Sequence, residues 1–371
     1  MDKIEEGGQC AACMACVAAC PRDAITIVAS LEKCTPTIDV EKCIDCGRCA
    51  KVCQLESPVK RAEPIRWMQG WATDEAIRRD SSSGGVAAAI SEAFVRDGGE
   101  AISCVATKSG FNFERAVKPD EIGKFKGSKY VKSDPREAFE LVADSLGRDK
   151  KTLFIGLPCQ VAAMKKYIGE RRCGNLYTVD LICHGTPAQD VLERYLEEEG
   201  VSKKEMGEMF FRRKNKFYLS FPGEEGGAFT ILDPYTMAFH AGLSFTENCY
   251  ECEYASLGRS SDLTLGDSWG TDLKTEESNG VSLMLCINEK GEELIENADL
   301  TLYPVDKQNA IENNSQLVHP SARHRLRDAF IENWNKGMKF KKNVMTCLPV
   351  ECLRQKIKLV LNGGGPKRKL M

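Results

Sequence analysis

What the sequence lacks narrows its class first. No run of apolar residues approaches the ~20 that a helix needs to cross a bilayer, so no membrane span is expected. The opening residues, MDKIEEGGQC, are acidic and polar with no apolar stretch behind them, which argues against a secretory leader. Neither sign of charge dominates: 51 Lys and Arg stand against 54 Asp and Glu, a net charge of -3. The basic excess of a general nucleic-acid binder is therefore absent. With 42% hydrophobic and 28% charged residues the composition is that of an ordinary globular protein. A chain of 371 residues calls for about two or three domains. The expected location is cytoplasmic.

Cysteine, by contrast, is abundant, with 18 in the chain. In a reducing compartment that number points to metal or redox chemistry and away from disulfides. Eight of them fall in residues 10–53: Cys10, Cys13, Cys16 and Cys20, then Cys43, Cys46, Cys49 and Cys53. Both groups read C-x2-C-x2-C-x3-C, the spacing of a two-cluster bacterial ferredoxin, in which the fourth cysteine of each run ligates the other run's 4Fe-4S cluster. One cluster then takes Cys10, Cys13, Cys16 and Cys53, and the other Cys43, Cys46, Cys49 and Cys20. Eight thiolates on two clusters replace the apolar core that so short a segment cannot build. A zinc ribbon would want two pairs of ligands, not two runs of four, and a disulfide framework would want a secreted protein. Between the runs, residues 23–28 (DAITIV) read as a strand and residues 37–40 (TIDV) as the start of its partner. Cys34 lies outside both runs and reads as a spare thiol.

Prolines and charges in residues 56–64 (ESPVKRAEP) mark a linker, so the first domain closes near residue 58. The chain divides into residues 1–58, 59–150, 151–305 and 306–371. The fold class expected is α+β or α/β: a small two-cluster ferredoxin-type domain followed by a larger mixed α/β domain. In the larger part, strands are expected over residues 67–72, 101–106, 152–155, 176–182 and 282–287. Helices are expected after Gly85, over residues 135–146, after Gln160, after Pro187, and over 289–297 and 319–334. Shorter strands are expected within 209–231.

Several loops carry chemistry. Ser82, Ser83, Gly84 and Gly85 open a helix, where free backbone N–H groups hold anions such as phosphate, although serines also cap helices without any ligand. Gly127, Ser128, Lys129 and Tyr130 suit a phosphate-bearing or planar ligand, or an exposed basic turn. Cys159 and Cys183 each follow a strand and precede a helix, where ligands of open α/β sheets collect. Two successive parallel strands would bring them to one sheet edge. Cys249 and Cys252 form a C-x2-C pair, half of a four-thiolate site or a redox dithiol. From Lys336 onward the tail carries ten basic residues against the single acid Glu351, which suits a solvated tail, an acidic ferredoxin or a membrane surface.

Taken in order, Ser82-Ser83-Gly84-Gly85, Gly127-Ser128-Lys129-Tyr130, Gly156-Leu157-Pro158-Cys159-Gln160, Asp180-Leu181-Ile182-Cys183-His184-Gly185, Cys249-x2-Cys252 and Gly266-Asp267-Ser268-Trp269-Gly270 resemble the family of coenzyme F-420 hydrogenase/dehydrogenase beta subunits. With the ferredoxin segment in front, the resemblance covers residues 1 to about 305. It implies an FAD-binding α/β domain exchanging electrons with 4Fe-4S clusters and hydride with a small-molecule acceptor or donor, the deazaflavin coenzyme in some relatives. The serine-glycine turn and residues 127–130 become flavin contacts, and Cys159, Cys183, Cys249 and Cys252 the ligands of a third cluster. Lys129 and His184 are the catalytic candidates, to tune the flavin or relay a proton. The chemistry supports this apart from the name: clusters move single electrons and hydride acceptors take pairs, so a converter such as a flavin belongs between them. Two competing readings are an electron-input subunit docked to a hydrogenase, formate dehydrogenase or membrane complex, and a cluster-bearing sensor that does not turn over; a ferredoxin or a partner redox subunit is the macromolecular partner expected.

Overall fold

The computed structural model describes residues 9–56, 58–202, 207, 209–214, 216–220 and 233–361. The N-terminal unit is built twice over. Helix α1 (Ala15–Ala19) leads into strand β1 (Ile25–Ala29), the chain turns back along β2 (Cys34–Ile38), and α2 (Arg48–Val52) repeats α1. β1 and β2 are antiparallel, with Ile25 opposite Ile38 and Ala29 opposite Cys34. The second strand therefore starts three residues ahead of the expected Thr37 and stops before Val40. Cys34 and Pro36 are its buried positions, so the alternation that defines the strand begins at Cys34.

The larger part runs β3 (Arg66–Ala72), α3 (Glu75–Arg79), α4 (Val86–Arg96), β4 (Glu100–Thr107), β5 (Gly110–Ala116), α5 (Arg136–Gly147), β6 (Thr152–Ile155), α6 (Pro158–Ile168), β7 (Leu176–Leu181) and α7 (Gln189–Glu198). It continues with β8 (Phe210–Arg213), β9 (Lys216–Ser220), α8 (Pro234–His240), β10 (Leu263–Asp267), β11 (Ser282–Cys286), α9 (Glu289–Glu296) and β12 (Leu300–Pro304). Four helices follow: α10 (Lys307–Glu312), α11 (Arg327–Asn335), α12 (Phe340–Cys347) and α13 (Pro349–Leu361). Of the strands expected within 209–231, β8 and β9 are present, and residues 221–231 lie outside the described residues.

Eight strands make one sheet in the order β12-β3-β11-β10-β7-β6-β4-β5. β10, β7, β6 and β4 are parallel neighbours, and antiparallel pairs complete both sides. The mixed sheet and small ferredoxin-like unit are the architecture expected. Adjacent residues go to opposite faces: Ala101 and Leu153 pack with α4 and α9, Ile102 and Phe154 with α5 and α6. Both faces are covered, as parallel strands require. Ala15 of α1 joins the second of these cores, so the N-terminal unit is seated on α5 and α6. A third core joins Leu31, α7, α8, α11 and α12.

Two departures concern the expected elements. Strands β5, β10 and β12 lie in segments where no strand was expected. The helix expected over 319–334 begins only at Arg327; Pro320 disfavours helical backbone at His319.

Candidate functional site

Each cysteine run bends in the same way. Ala12 and Met14 have φ of +50° and +61°; Asp45 and Gly47, at the same places in the second run, have +53° and +67°. Left-handed backbone costs a non-glycine residue roughly 1–2 kcal/mol, yet three of these four residues are not glycine. The Cys20 and Cys53 N–H groups end their short helices alike, donating to Val17 O and Ala50 O at 3.2 Å. The curl brings thiols together. Burial pushes Cys13 up to about 12, with Cys16, Cys10 and Cys53 adding to the effect. Cys16, also buried, reaches about 12 with Cys10, Cys53 and Cys49 acting on it. Cys20 joins Cys43, Cys46 and Cys49 around an apolar cavity of about 30 Å³ that Ile25 and Ile38 help to close. The fourth cysteine of each run thus stands with the other run. Among the described residues no three His, Cys, Asp or Glu side chains gather tightly enough for a single metal ion. A cubane seats each thiolate on its own iron and so spaces its ligands more widely than one zinc does.

A second gathering of thiols lies where β6 and β7 end. Cys159 enters the first turn of α6, Cys183 follows β7, and Cys249 ends the short turn Glu247–Cys249. Burial raises the Cys183 pKa strongly, and Cys249, Cys159 and Cys252 raise it further. Cys159 is likewise raised by burial and receives the influence of Cys252, Cys249 and also Cys13. Four thiols from three separate segments therefore lie within electrostatic reach of one another, and one of them also of the first run. Tyr254 ties the two groups, donating its hydroxyl to Gln54, the residue after Cys53.

The cation between them is Lys132, whose Nζ donates to Ala11 O at 3.3 Å. Burial works to lower its pKa, but Cys249, Cys34, Cys159 and Cys10 outweigh that and hold it above the usual lysine value. Arg259 frames the same corner. It is buried, and it donates to Asp180 Oδ1 at 3.1 Å, Leu181 O at 2.9 Å and Tyr254 O at 2.7 Å. One side chain thus holds the end of β7 to the loop carrying Cys249 and Cys252.

Above these thiols opens a cavity of about 530 Å³, lined by the serine-glycine turn, residues 126–131, Cys183, His184 and the ends of β6, β7 and β10. That is the size of a cofactor pocket, at the strand ends where α/β sheets place them. The serines do not cap α4: its N-cap is Gly85, with φ +85° and no side-chain cap, which leaves the first-turn N–H groups beside Ala87 and Ala88 at the cavity wall. Gly84 packs so closely that a Cβ would come within 2.6 Å of Gly70 O. The two loop motifs meet, since Ser128 N–H donates to Ser82 Oγ at 2.9 Å.

Lys129 also lines the cavity, but its ammonium donates to Cys104 O, Phe125 O and Lys126 O at 3.1, 2.7 and 3.1 Å. All three protons are held by carbonyls, so Lys129 fastens its loop to β4. Tyr130 stacks on Phe239 with ring centroids 4.7 Å apart. His184 is exposed to the cavity, and burial with nearby Arg212 outweighs Asp267 to lower its pKa. His240 is lowered to about 4 by burial, His184 and Arg212. Arg212 forms a two-pronged pair with Asp267, at 2.5 and 2.6 Å, and lies over the rings of Phe217 and Trp269.

Sequence reasoning gave no role to Lys132, Arg212, His240 or Arg259. Only Asp267 and Trp269 carried a usable signal, their place in the motif Gly266-Asp267-Ser268-Trp269-Gly270.

The fold and the site define a mixed-sheet protein with a cofactor-sized cavity at its parallel strand ends and a twin cysteine repeat of ferredoxin spacing docked beside it. Residues 149–306 match the family described as the C terminus of the coenzyme F420 hydrogenase/dehydrogenase beta subunit, and residues 9–56 match the 4Fe-4S dicluster domain. The chain carries both, as its motifs led one to expect. One of the subunits of the F(420)H(2) dehydrogenase of Methanosarcina mazei is 27% identical over 173 residues, which are 42% of this chain and 47% of that protein. The match thus spans about half the length of that relative. A chain of the F420-reducing [NiFe] hydrogenase complex from Methanosarcina barkeri has the same fold, with a TM-score of 0.51 at 18% identity over 75% of this chain and 94% of the other. No described helix is long and apolar enough to cross a membrane.

Proposed function

We propose that the chain is a flavin-dependent iron–sulfur oxidoreductase, passing electrons between three 4Fe-4S clusters and FAD and exchanging hydride with a deazaflavin or another small acceptor. The observation that carries this is the meeting of Cys159, Cys183, Cys249 and Cys252 between the first cysteine run and a cavity that Cys183 itself lines. Cys10, Cys13, Cys16 and Cys53 would hold one cluster, Cys43, Cys46, Cys49 and Cys20 the second, and the four strand-end and loop cysteines the third. Buried thiols of raised pKa release their protons as iron replaces them.

The cavity fits FAD at both ends. The uncapped N–H groups of α4, with Ser82 and Ser128 beside them, suit a diphosphate; Phe217, Trp269 and His184 suit a ring system. FAD, when bound, supplies the conversion between single electrons and hydride. The protein's own part is to position and to shield. Lys129 holds its loop, Asp267 fixes the Arg212 guanidinium, and the low pKa of His184 leaves a neutral imidazole that can accept a proton at the cavity wall. A second reading, an electron-input subunit of a larger complex, draws on the relative being one subunit of a dehydrogenase.

The test is FAD binding to the purified chain, followed by flavin fluorescence. Ser82→Asp keeps an acceptor for Ser128 N–H but places a carboxylate at the phosphate end, and the expected result is at least roughly tenfold weaker binding. Absence of FAD binding in the unaltered protein would remove the enzyme reading.

A further inference from the structure

Helix α13 (Pro349–Leu361) is packed along one side only. Cys352 faces the core formed with α12. At 100° per residue, the opposite arc holds Val350, Leu353, Ile357, Val360 and Leu361, and all five are exposed, between 50% and 78%. Five large apolar side chains on one arc of a 13-residue helix are not the scattered exposure of an ordinary surface. Their neighbours on the helix are cations: Arg354 and Lys358 border the arc on one side and Lys356 on the other.

The charge of the whole chain is divided along the sequence. From Lys336 to the end there are ten basic residues and one acid, so the residues before it hold 41 basic and 53 acidic. The body is thus acidic and this end strongly basic. A second copy offers the arc the wrong partner, because two α13 helices laid together would bring their lysine and arginine borders into contact with only Glu351 to offset them. An anionic lipid surface offers the right one. It takes an apolar arc into the acyl boundary while headgroup phosphates meet the flanking cations, and its charge keeps the acidic body turned away.

We propose that the exposed arc of α13 docks the protein peripherally onto an anionic lipid bilayer. The proposal does not depend on the flavin or on the third cluster, and its test reads neither. The full chain is sedimented with vesicles of phosphatidylglycerol and phosphatidylcholine in about equal parts, and with vesicles of phosphatidylcholine alone, at low and high salt. Binding to the anionic vesicles is expected to be at least roughly tenfold the stronger, to weaken with salt, and to fall at least about tenfold in Leu353→Asp/Ile357→Asp. These positions are solvent-facing, so cluster absorbance and melting temperature should be unchanged. Absence of sedimentation, or equal sedimentation by the double variant, overturns the proposal. So does a dimer in solution that the double variant disperses, which would assign the arc to a second copy.

Discussion

Lys132 is only 8% exposed; its charge is favoured by Cys249, Cys34, Cys159 and Cys10 around it, and its Nζ donates to Ala11 O. Its charge stands between the first and third proposed clusters, where each added electron is attracted to it. A unit charge about 8 Å away in a medium of effective dielectric ~20 is worth about 2 kcal/mol, roughly 90 mV for a one-electron couple. Lys132→Met, which keeps the length of the side chain, should therefore lower the midpoint potential of at least one cluster by tens of millivolts. Electron paramagnetic resonance during a redox titration measures this, and unchanged potentials at full iron content would deny Lys132 the role. At this scale the cysteine runs were legible because their ligand spacing is local, a matter of two or three residues. Lys132 and Arg212 were not: Arg212 meets Asp267 55 residues on, and Lys132 meets Ala11 121 residues back. No pattern along the chain marks such pairs.

Among the elements, the loop from Cys249 to Tyr254 has only the short turn Glu247–Cys249 at its start, and buried Arg259 ties its far end to β7. Removing one partner of a buried pair leaves the other charge uncompensated, at about 3–5 kcal/mol. Arg259→Met should cost stability of that order, because among the described residues Asp180, also buried, keeps only Thr264 Oγ1 as a side-chain donor to Oδ1. Chemical denaturation gives the size of the loss. Where the variant still folds, the spectrum of the third cluster should broaden or vanish ahead of the other two. A loss below about 1 kcal/mol with all cluster signals intact would show that the loop holds itself. Strand β6 was readable because burial on both faces makes it a short, mostly apolar run, and β7 because Leu176, Tyr177 and Val179 lead directly into the Cys183 loop. β12 was not, since it is an edge strand whose residues are half-buried or exposed. β5 hid its alternation of Phe111 and Phe113 among polar neighbours. The serine turn misled in the other direction: serines before a helix read as caps, and here Gly85 takes that place.

Over the whole molecule, the N-terminal repeat is built into the larger part and not strung beside it. Fully buried Arg327 of α11 donates to Leu31 O, Leu243 O and Phe245 O, all at 2.6 Å, and so joins the C-terminal helices, the β1–β2 turn and the segment leading to Cys249. The path proposed above runs from the paired cysteine runs through Cys13 and Cys159 to the cavity. The sequence contained the parts of that path in order, but their meeting depends on β6 and β7 being neighbours and on a docking that no local pattern specifies. The claim that a third cluster lies on the path is tested most directly by counting iron and sulfide in the anaerobically purified chain and in Cys159→Ser. The account predicts about twelve of each in the unaltered protein and about eight in the variant, with the ferredoxin-type signals retained. About eight in both, or loss of all iron in the variant, would contradict it.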